Sequence, residues 1–356
     1  MKIVHVTYGF QLGGIETMLC NIVNEQSGLG HDVSIIVIND IVNSELRESL
    51  DDRIRFICLK RRVGSKSFVH VLKLNRVIYS IGPDIIHLHY SSIARYLFDP
   101  LRKLNVCVTL HAMCTKQNSE YLYKTRHIYA ISNVVKEDIK RCTGLNSETV
   151  YNGINPELIK TKKENRQDRD FRIVQVSRLV HTIKGQHILI KAISELVGKG
   201  YEHVTLDLIG GGESLEYLSD MVKELKIEKH VRFLGAQSQS YIFEHLCEYD
   251  LFVQASIYEG FGITVAEAMA AKVPVLVSDT DGPMEVIDYG KYGYYFKNGD
   301  VEDCAAKIEL FINGKNDANI TEAAYMRVSE VFDVKATAAN YIRKYKEIIS
   351  YSPKQS

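Results

Sequence analysis

LFVQASIYEGFGITVAEAMAAKVPVLVS, residues 251 to 278, reads in succession as strand, glycine loop, helix and strand. Leu251 to Gln254 and Val275 to Ser278 are short apolar runs of the kind found in strands buried on both faces. Joined by a helix, two such strands run parallel as a βαβ unit. Gly260 and Gly262 let the backbone approach a ligand closely, and the helix from about Ile263 offers unpaired N–H groups to an anion. Glu267 stands on that helix among Val, Ala and Met, where a charge is costly unless a partner binds it. A ribose with two adjacent hydroxyls is such a partner, and Glu259 in the loop is placed to accept hydrogen bonds from sugar hydroxyls. A purely structural account needs both acids satisfied by buried protein groups.

The same alternation extends in both directions. Upstream, strands are predicted at Ile173 to Val176, Val204 to Ile209 and Val231 to Leu234, each followed by a helix-like stretch. The first part of the chain repeats the pattern, with strands at Ile3 to Thr7, Val33 to Ile38, Ile54 to Cys58, Ile85 to His89, Val106 to Leu110 and His127 to Ile131. Between the two series, KTKKENRQDRDFR (160 to 172) is dense in charge and reads as a linker. The fold class is therefore α/β: two Rossmann-like domains, 1–165 and 166–330, with parallel sheets facing an interdomain cleft. Beyond Val301 the pattern turns helical, and the tail 331–356 carries Tyr341, Ile342, Tyr345, Ile348 and Ile349 on one face. That stripe must be buried, and the first domain is the expected place.

A length of 356 residues suits two domains better than one core. Hydrophobic residues at 46% and charged residues at 25% leave little room for long disordered tracts. The seven cysteines are scattered and never form Cys-x-x-Cys, which supports neither a disulfide framework nor a zinc site. No run of about 18 apolar residues occurs, and Met1-Lys2 leads straight into a strand. A cytoplasmic setting is expected. The formal net charge is zero, but the first 165 residues carry an excess of Lys and Arg and the remainder a matching excess of Asp and Glu. Lys60-Arg61-Arg62 with Lys66, and Arg102-Lys103, are placed to attract an anionic lipid surface or an acceptor phosphate, or are ordinary solvated charge. Peripheral contact with the inner face of a plasma membrane is expected on that basis, and no nucleic-acid partner.

In open parallel sheets, ligands sit beyond the carboxyl ends of the strands. The loop GFQLGGIE (9 to 16) follows the first strand, and Gly13 and Gly14 ahead of a helix suit a phosphate. Alternatively they make a tight turn in which Glu16 complements the helix dipole. His89 in DIIHLHY and His111 in VTLHA close two central strands, whereas His87, two residues deeper, reads as structural. In SRLVHTIKGQ (177 to 186), Arg178 follows a strand and Lys184 opens a helix. Two cations at one crossover fit a diphosphate, Arg through its fork and Lys as a point charge; a surface ion pair is the plain alternative.

Taken together, these motifs resemble the retaining glycosyltransferases of family 4, which have the GT-B fold. The likeness runs over nearly the whole chain: GGIE, TLHA, YNGIN (151 to 155), SRL with a following KG, LIGGGE, VRFLG, and the two glutamates of 259 to 267. The resemblance implies a nucleotide diphosphate sugar as donor and a glycan or polyprenyl-linked acceptor. It places Gly13, Gly14 and Glu16 at the donor, and Arg178 with Lys184 on the diphosphate. Gly260, Phe261, Gly262, Ile263 and Thr264 would line the donor site, with Glu259 at the sugar and Glu267 at the ribose. His111 matches the active-site histidine, and His89 would lie near the acceptor or sugar. No metal or other cofactor is implied, because Arg and Lys neutralise the leaving diphosphate. Lipopolysaccharide, capsule or exopolysaccharide synthesis is the implied setting. The likeness departs at Lys291-Tyr292, where a small polar pair is more usual, and Val42 to Ser67 matches no motif. A sugar-nucleotide 2-epimerase on the same fold, and a catalytically silent sugar-nucleotide-binding module, remain alternatives.

Overall fold

The computed structural model describes residues 1–11, 13–102, 104–163 and 170–351. Leu12 of the first glycine loop, Lys103 of a basic pair and the middle of the charged segment, 164–169, lie outside the described residues. Contacts divide the chain into two compact units: Met1–Ile154 with the residues from Asp333 onward, and Asn155–Phe332.

In the first unit, β1 (Lys2–Thr7), β2 (Asp32–Asn39), β3 (Arg55–Arg61), β4 (Ile85–Leu88), β5 (Val106–Leu110), β6 (His127–Ala130) and β7 (Glu148–Thr149) form one sheet. Its order is β3-β2-β1-β4-β5-β6-β7, and every pairing is parallel. In the second, β8 (Phe171–Val176), β9 (Val204–Ile209), β10 (Val231–Gly235), β11 (Leu251–Gln254), β12 (Val275–Ser278) and β13 (Tyr294–Phe296) run in the order β10-β9-β8-β11-β12-β13, again all parallel. The central strands are buried along their whole length, which is why they read as unbroken apolar runs. The short edge strands β7 and β13 went unread because two or three residues carry no periodicity.

Chain connectivity differs from the sequence reading at the joins, which lie at 154/155 and 332/333 rather than 165/166 and 330/331. Ile154 makes a parallel bridge with Asp333, and Val334 N donates to the Ile154 carbonyl at 2.7 Å. Gly153 of YNGIN permits this crossing, since a Cβ there would stand 2.5 Å from Val334 Cα. The charged segment is not wholly a linker either. Lys160 N bonds to Phe243 O at 2.9 Å, and Lys162 Nζ reaches Asp250 Oδ1 at 2.8 Å, so its start belongs to the second unit.

Helix α1 (Gly14–Gly28) lies in the first unit; α2 (Gln186–Gly198), α3 (Ile263–Ala270), α4 (Val301–Ile312) and α5 (Ala318–Val331) lie in the second; α6 (Val334–Tyr351) returns to the first. The stripe on α6 is buried at Tyr341, Ile342, Tyr345 and Ile348. It packs on α1, and its lysine Lys344 pairs with Glu148.

Candidate functional site

Strand order reverses direction twice, between β1 and β4 and between β8 and β11. The loops leaving paired strands diverge at such a switch point and leave a crevice at their carboxyl ends. The predicted residues fall on these two places.

In the second unit, Arg178 lies just past β8 and is exposed, while Glu259 lies just past β11. The two loops are tied together, with Ile257 N donating to Ile183 O at 2.8 Å. Lys184 and Glu259 form an ion pair, each side chain 18% exposed. Ser256 Oγ also donates to Glu259 Oε2 at 3.2 Å. Lys184 does not open α2, as the sequence suggested. It ends a single turn, His181–Lys184, after which Gly185 at φ 66° breaks the chain direction before α2 starts. A Cβ at Gly185 would meet Ala255 O at 1.7 Å, so glycine is required for the β8 loop to sit against β11. At the C-terminal end of a turn a lysine is favoured, not penalised.

Helix α3 begins after Gly262, whose φ of 103° suits glycine. Ile263 and Thr264 are half-buried in its first turn. Phe261 departs from the expectation for a ligand-lining side chain: it is buried and packs edge-on against Phe332 at 5.3 Å, which leaves its backbone for any donor contact. Gly260, between Glu259 and Phe261 in the chain, is half-buried. Glu267, on the next turn, is buried, and loss of hydration pushes its carboxyl up to about 7, with Gln239 opposing the rise. Gly282, which the sequence reading passed over, lies against the same loop. Its N donates to Glu259 O at 3.1 Å, and a Cβ there would stand 2.5 Å from that oxygen.

In the first unit, the register pairs His5 with His87, and His87 with Cys107. Strand pleating then puts His5, His87, His89, Thr109 and His111 on one side of the sheet. His5, His87 and His89 are buried and His111 is half-buried. Their rings stack, His87 on His89 at 4.6 Å and His89 on His111 at 5.2 Å. His87 is structural, as expected, held by Tyr345 OH at 2.5 Å and Thr109 Oγ1 at 2.7 Å. Burial drives all four imidazoles towards the neutral form: His5 is pushed down to about 4 and His111 to about 3, and His87 and His89 lie well below the usual range. Ring nitrogens of His5, His87 and His89 lie within 4.8 Å of one another, but His5 Nδ1 and His89 Nε2 at 3.0 Å are in hydrogen-bond contact.

His89 and His111 line a cleft of about 720 Å³ with Tyr8, Tyr90, Arg95 and Tyr121. Gly13 and Gly14 are exposed at the start of α1, and a Cβ at Gly14 would meet nothing within 4 Å, so its backbone is open to a ligand. Glu16 is half-buried, takes a hydrogen bond from Tyr90 OH at 3.4 Å, and has its carboxyl raised by burial. A second groove of about 380 Å³ adjoins the cleft, sharing Arg61, Arg95 and Tyr96 with it. Its wall is apolar, with Phe68, Val71, Leu74 and Phe98, and Arg102 and Lys66 stand at its edge. Phe68 is 59% exposed and neighbouring Leu72 51%. The sequence shows the basic run but neither the role of Arg95 nor the groove, because nothing in a single arginine between Ala94 and Tyr96 announces a cavity. No helix among the described residues is long and apolar enough to cross a membrane.

The profile of "Glycosyltransferase Family 4" matches residues 12–158, and that of "Glycosyl transferases group 1" matches residues 157–327. An uncharacterized glycosyltransferase of Methanocaldococcus jannaschii is 32% identical over 54% of this chain, and the match spans about half of that relative, 51% of its length. The lipopolysaccharide 1,6-galactosyltransferase of Salmonella typhimurium is 24% identical over 85% of this chain and 87% of its own. Among solved structures, Anabaena HepE in complex with UDP and glucose superposes with a TM-score of 0.82 at 21% identity, covering 97% of this chain and 99% of that one. At that identity the likeness is one of fold, which is GT-B.

Proposed function

The chain belongs to the glycosyltransferases, as a family 4-like member on the GT-B fold, and from that premise we propose a retaining, metal-independent hexosyl transfer from a nucleotide diphosphate sugar to a glycan or lipid-linked acceptor. The observation that supports this is the Lys184–Glu259 ion pair joining the loops that leave β8 and β11, with Arg178 on the first of those loops and the buried Glu267 on the helix that follows the second. Breaking the bond between the anomeric carbon and phosphate develops negative charge on the leaving diphosphate. Fixed cations and the N-terminus of α3 stabilise that charge most in the transition state. Arg178 and Lys184 supply what a divalent ion would otherwise supply. When the diphosphate engages Lys184, Glu259 is released to the donor sugar, and Glu267 accepts hydrogen bonds from the ribose hydroxyls.

In the first unit, the cleft takes the acceptor, with His111 beside the reacting sugar and His89 behind it. The leaving phosphate takes the acceptor proton in a front-face attack, since no side chain is placed as a covalent nucleophile in this reading. Arg61 and Arg95, shared by the polar cleft and the apolar groove, suit an acceptor whose phosphate lies between a sugar and a hydrocarbon tail. The surrounding cations and exposed Phe68 and Leu72 suit peripheral contact with an anionic membrane. The bacterial surface glycan of the Salmonella relative is the kind of product envisaged, in the cytoplasm before export.

The test is incubation with uridine, guanosine and adenosine diphosphate sugars plus a polyprenyl-diphosphate-linked sugar, with and without a chelator. Release of nucleotide diphosphate with an axial product from an axial donor, unaffected by chelator, is expected. An isomerised donor would instead identify an epimerase, and donor binding without turnover a silent module.

A further inference from the structure

His111, at the cleft, is one end of an unbroken line of hydrogen bonds that runs into the buried interior. His111 Nε2 lies 3.0 Å from His89 Nδ1, His89 Nε2 lies 3.0 Å from His5 Nδ1, and His5 Nε2 lies 2.8 Å from Gln26 Oε1. Three imidazoles from β1, the end of β4 and the end of β5 thus connect the cleft to a fully buried glutamine on α1.

Counting protons along this line leaves little freedom. An amide oxygen can only accept, so His5 Nε2 carries a proton. Burial keeps the rings neutral, with one N–H each. His5 Nδ1 is then bare and accepts from His89 Nε2–H. His89 Nδ1 is bare in its turn and accepts from His111 Nε2–H. At 3.0 Å each nitrogen pair must hold one proton, because two lone pairs repel and two N–H groups collide. We propose that Gln26, through His5 and His89, fixes His111 as the Nε2–H tautomer and so presents a bare Nδ1 as an acceptor for a substrate hydroxyl. Gln26 and His5 are positioning residues: neither lines the cleft, and each acts through the next ring. Serial polarisation along the line also makes His111 Nδ1 a better acceptor than an isolated imidazole. Turning the Gln26 amide over would reverse all three protons, so the His111 tautomer is a direct reading of its orientation. The use of Nδ1 by substrate rests on the function proposed above; the tautomer itself does not.

Long-range proton–nitrogen correlation spectra of the full-length protein labelled with ¹⁵N-histidine test this without substrate. The His111 signals are assigned by their loss in His111→Asn. A protonated Nε2 and a bare Nδ1 are expected, and loss of that preference in Gln26→Met, where an apolar side chain of similar length removes the anchor. A proton on Nδ1 in the native protein, an even mixture, or the same tautomer in Gln26→Met would overturn the proposal. Under turnover, Gln26→Met should lower kcat roughly tenfold or more with little change in donor KM; an unchanged kcat counts against the relay. Native Nε2–H in a protein that transfers no sugar leaves the relay standing and removes the functional reading instead.

Discussion

The first unit keeps a cluster of histidines largely out of water and neutral, whereas the second buries a carboxyl, Glu267, whose hold on its proton is raised. The first group runs from within β1 and β4 to just past β4 and β5, and Glu267 lies on the helix after β11, yet burial acts on them with opposite sign. It removes protons from bases and adds them to acids. The imidazoles pair with one another and with Gln26 Oε1, while Gln26 Nε2 is buried without a partner. Glu267 has only Gln239 opposing its rise, and a ribose diol would complete it.

The contrast is sharpest in acid. The folded-state values of His5, about 4, and His111, about 3, lie below the unfolded 6.5, so their contribution is full above pH 6.5 and is lost as pH falls. Each costs about 1.4 kcal/mol per pH unit, so at pH 4.5 the pair removes on the order of 5 kcal/mol. Hydrogen exchange followed by mass spectrometry from pH 7 to 4.5 should show residues 1–154 losing protection before 155–332. Simultaneous loss in both would break the comparison.

Next in size is the reaction itself. His111→Ala should reduce turnover by roughly 10² to 10⁴ while leaving donor affinity nearly intact, measured by steady-state kinetics with calorimetry. Unchanged turnover would remove the role assigned to this histidine.

Glu267 has the opposite pH sign. Its folded value, about 7, lies above the unfolded 4.5, so between them the folded chain holds a proton the unfolded chain lacks, and stability falls as pH rises through that window. Glu267→Gln should therefore stabilise the second unit at pH 8 by up to roughly 3 kcal/mol while weakening donor binding. Denaturant melts at pH 5 and 8 read the first effect, and a variant that gains nothing at pH 8 counts against a strained carboxyl. Smaller again, Lys184→Ala should weaken donor binding by roughly ten- to thirtyfold, the loss of one charge-assisted hydrogen bond, with calorimetry as the measure.

The lesson for reading sequence lies in particular residues. Arg178, His89, His111 and Glu259 were legible because each follows an apolar strand and a parallel sheet presents such residues at one edge. Lys184 was found for a partly mistaken reason, since a glycine break that depends on Ala255 of another strand separates it from α2. For Phe261, a loop next to glycines does not say which way a side chain turns, and its packing against Phe332 is visible only in the structure. His5 lay in plain view within an apolar strand, but its meaning depends on Gln26, which shares no periodicity with it.

Sequence alone determined the α/β alternation, the parallel sheets and the strand ends at which ligands collect, because these follow from local hydrophobic period and short connections. Tertiary structure alone decided what those strand ends are connected to. Tyr345 reaches His87 across 258 residues and His5 reaches His89 across 84. The protonation of a buried ring depends on its neighbours in space and on the water they exclude, and no pattern along the chain encodes either.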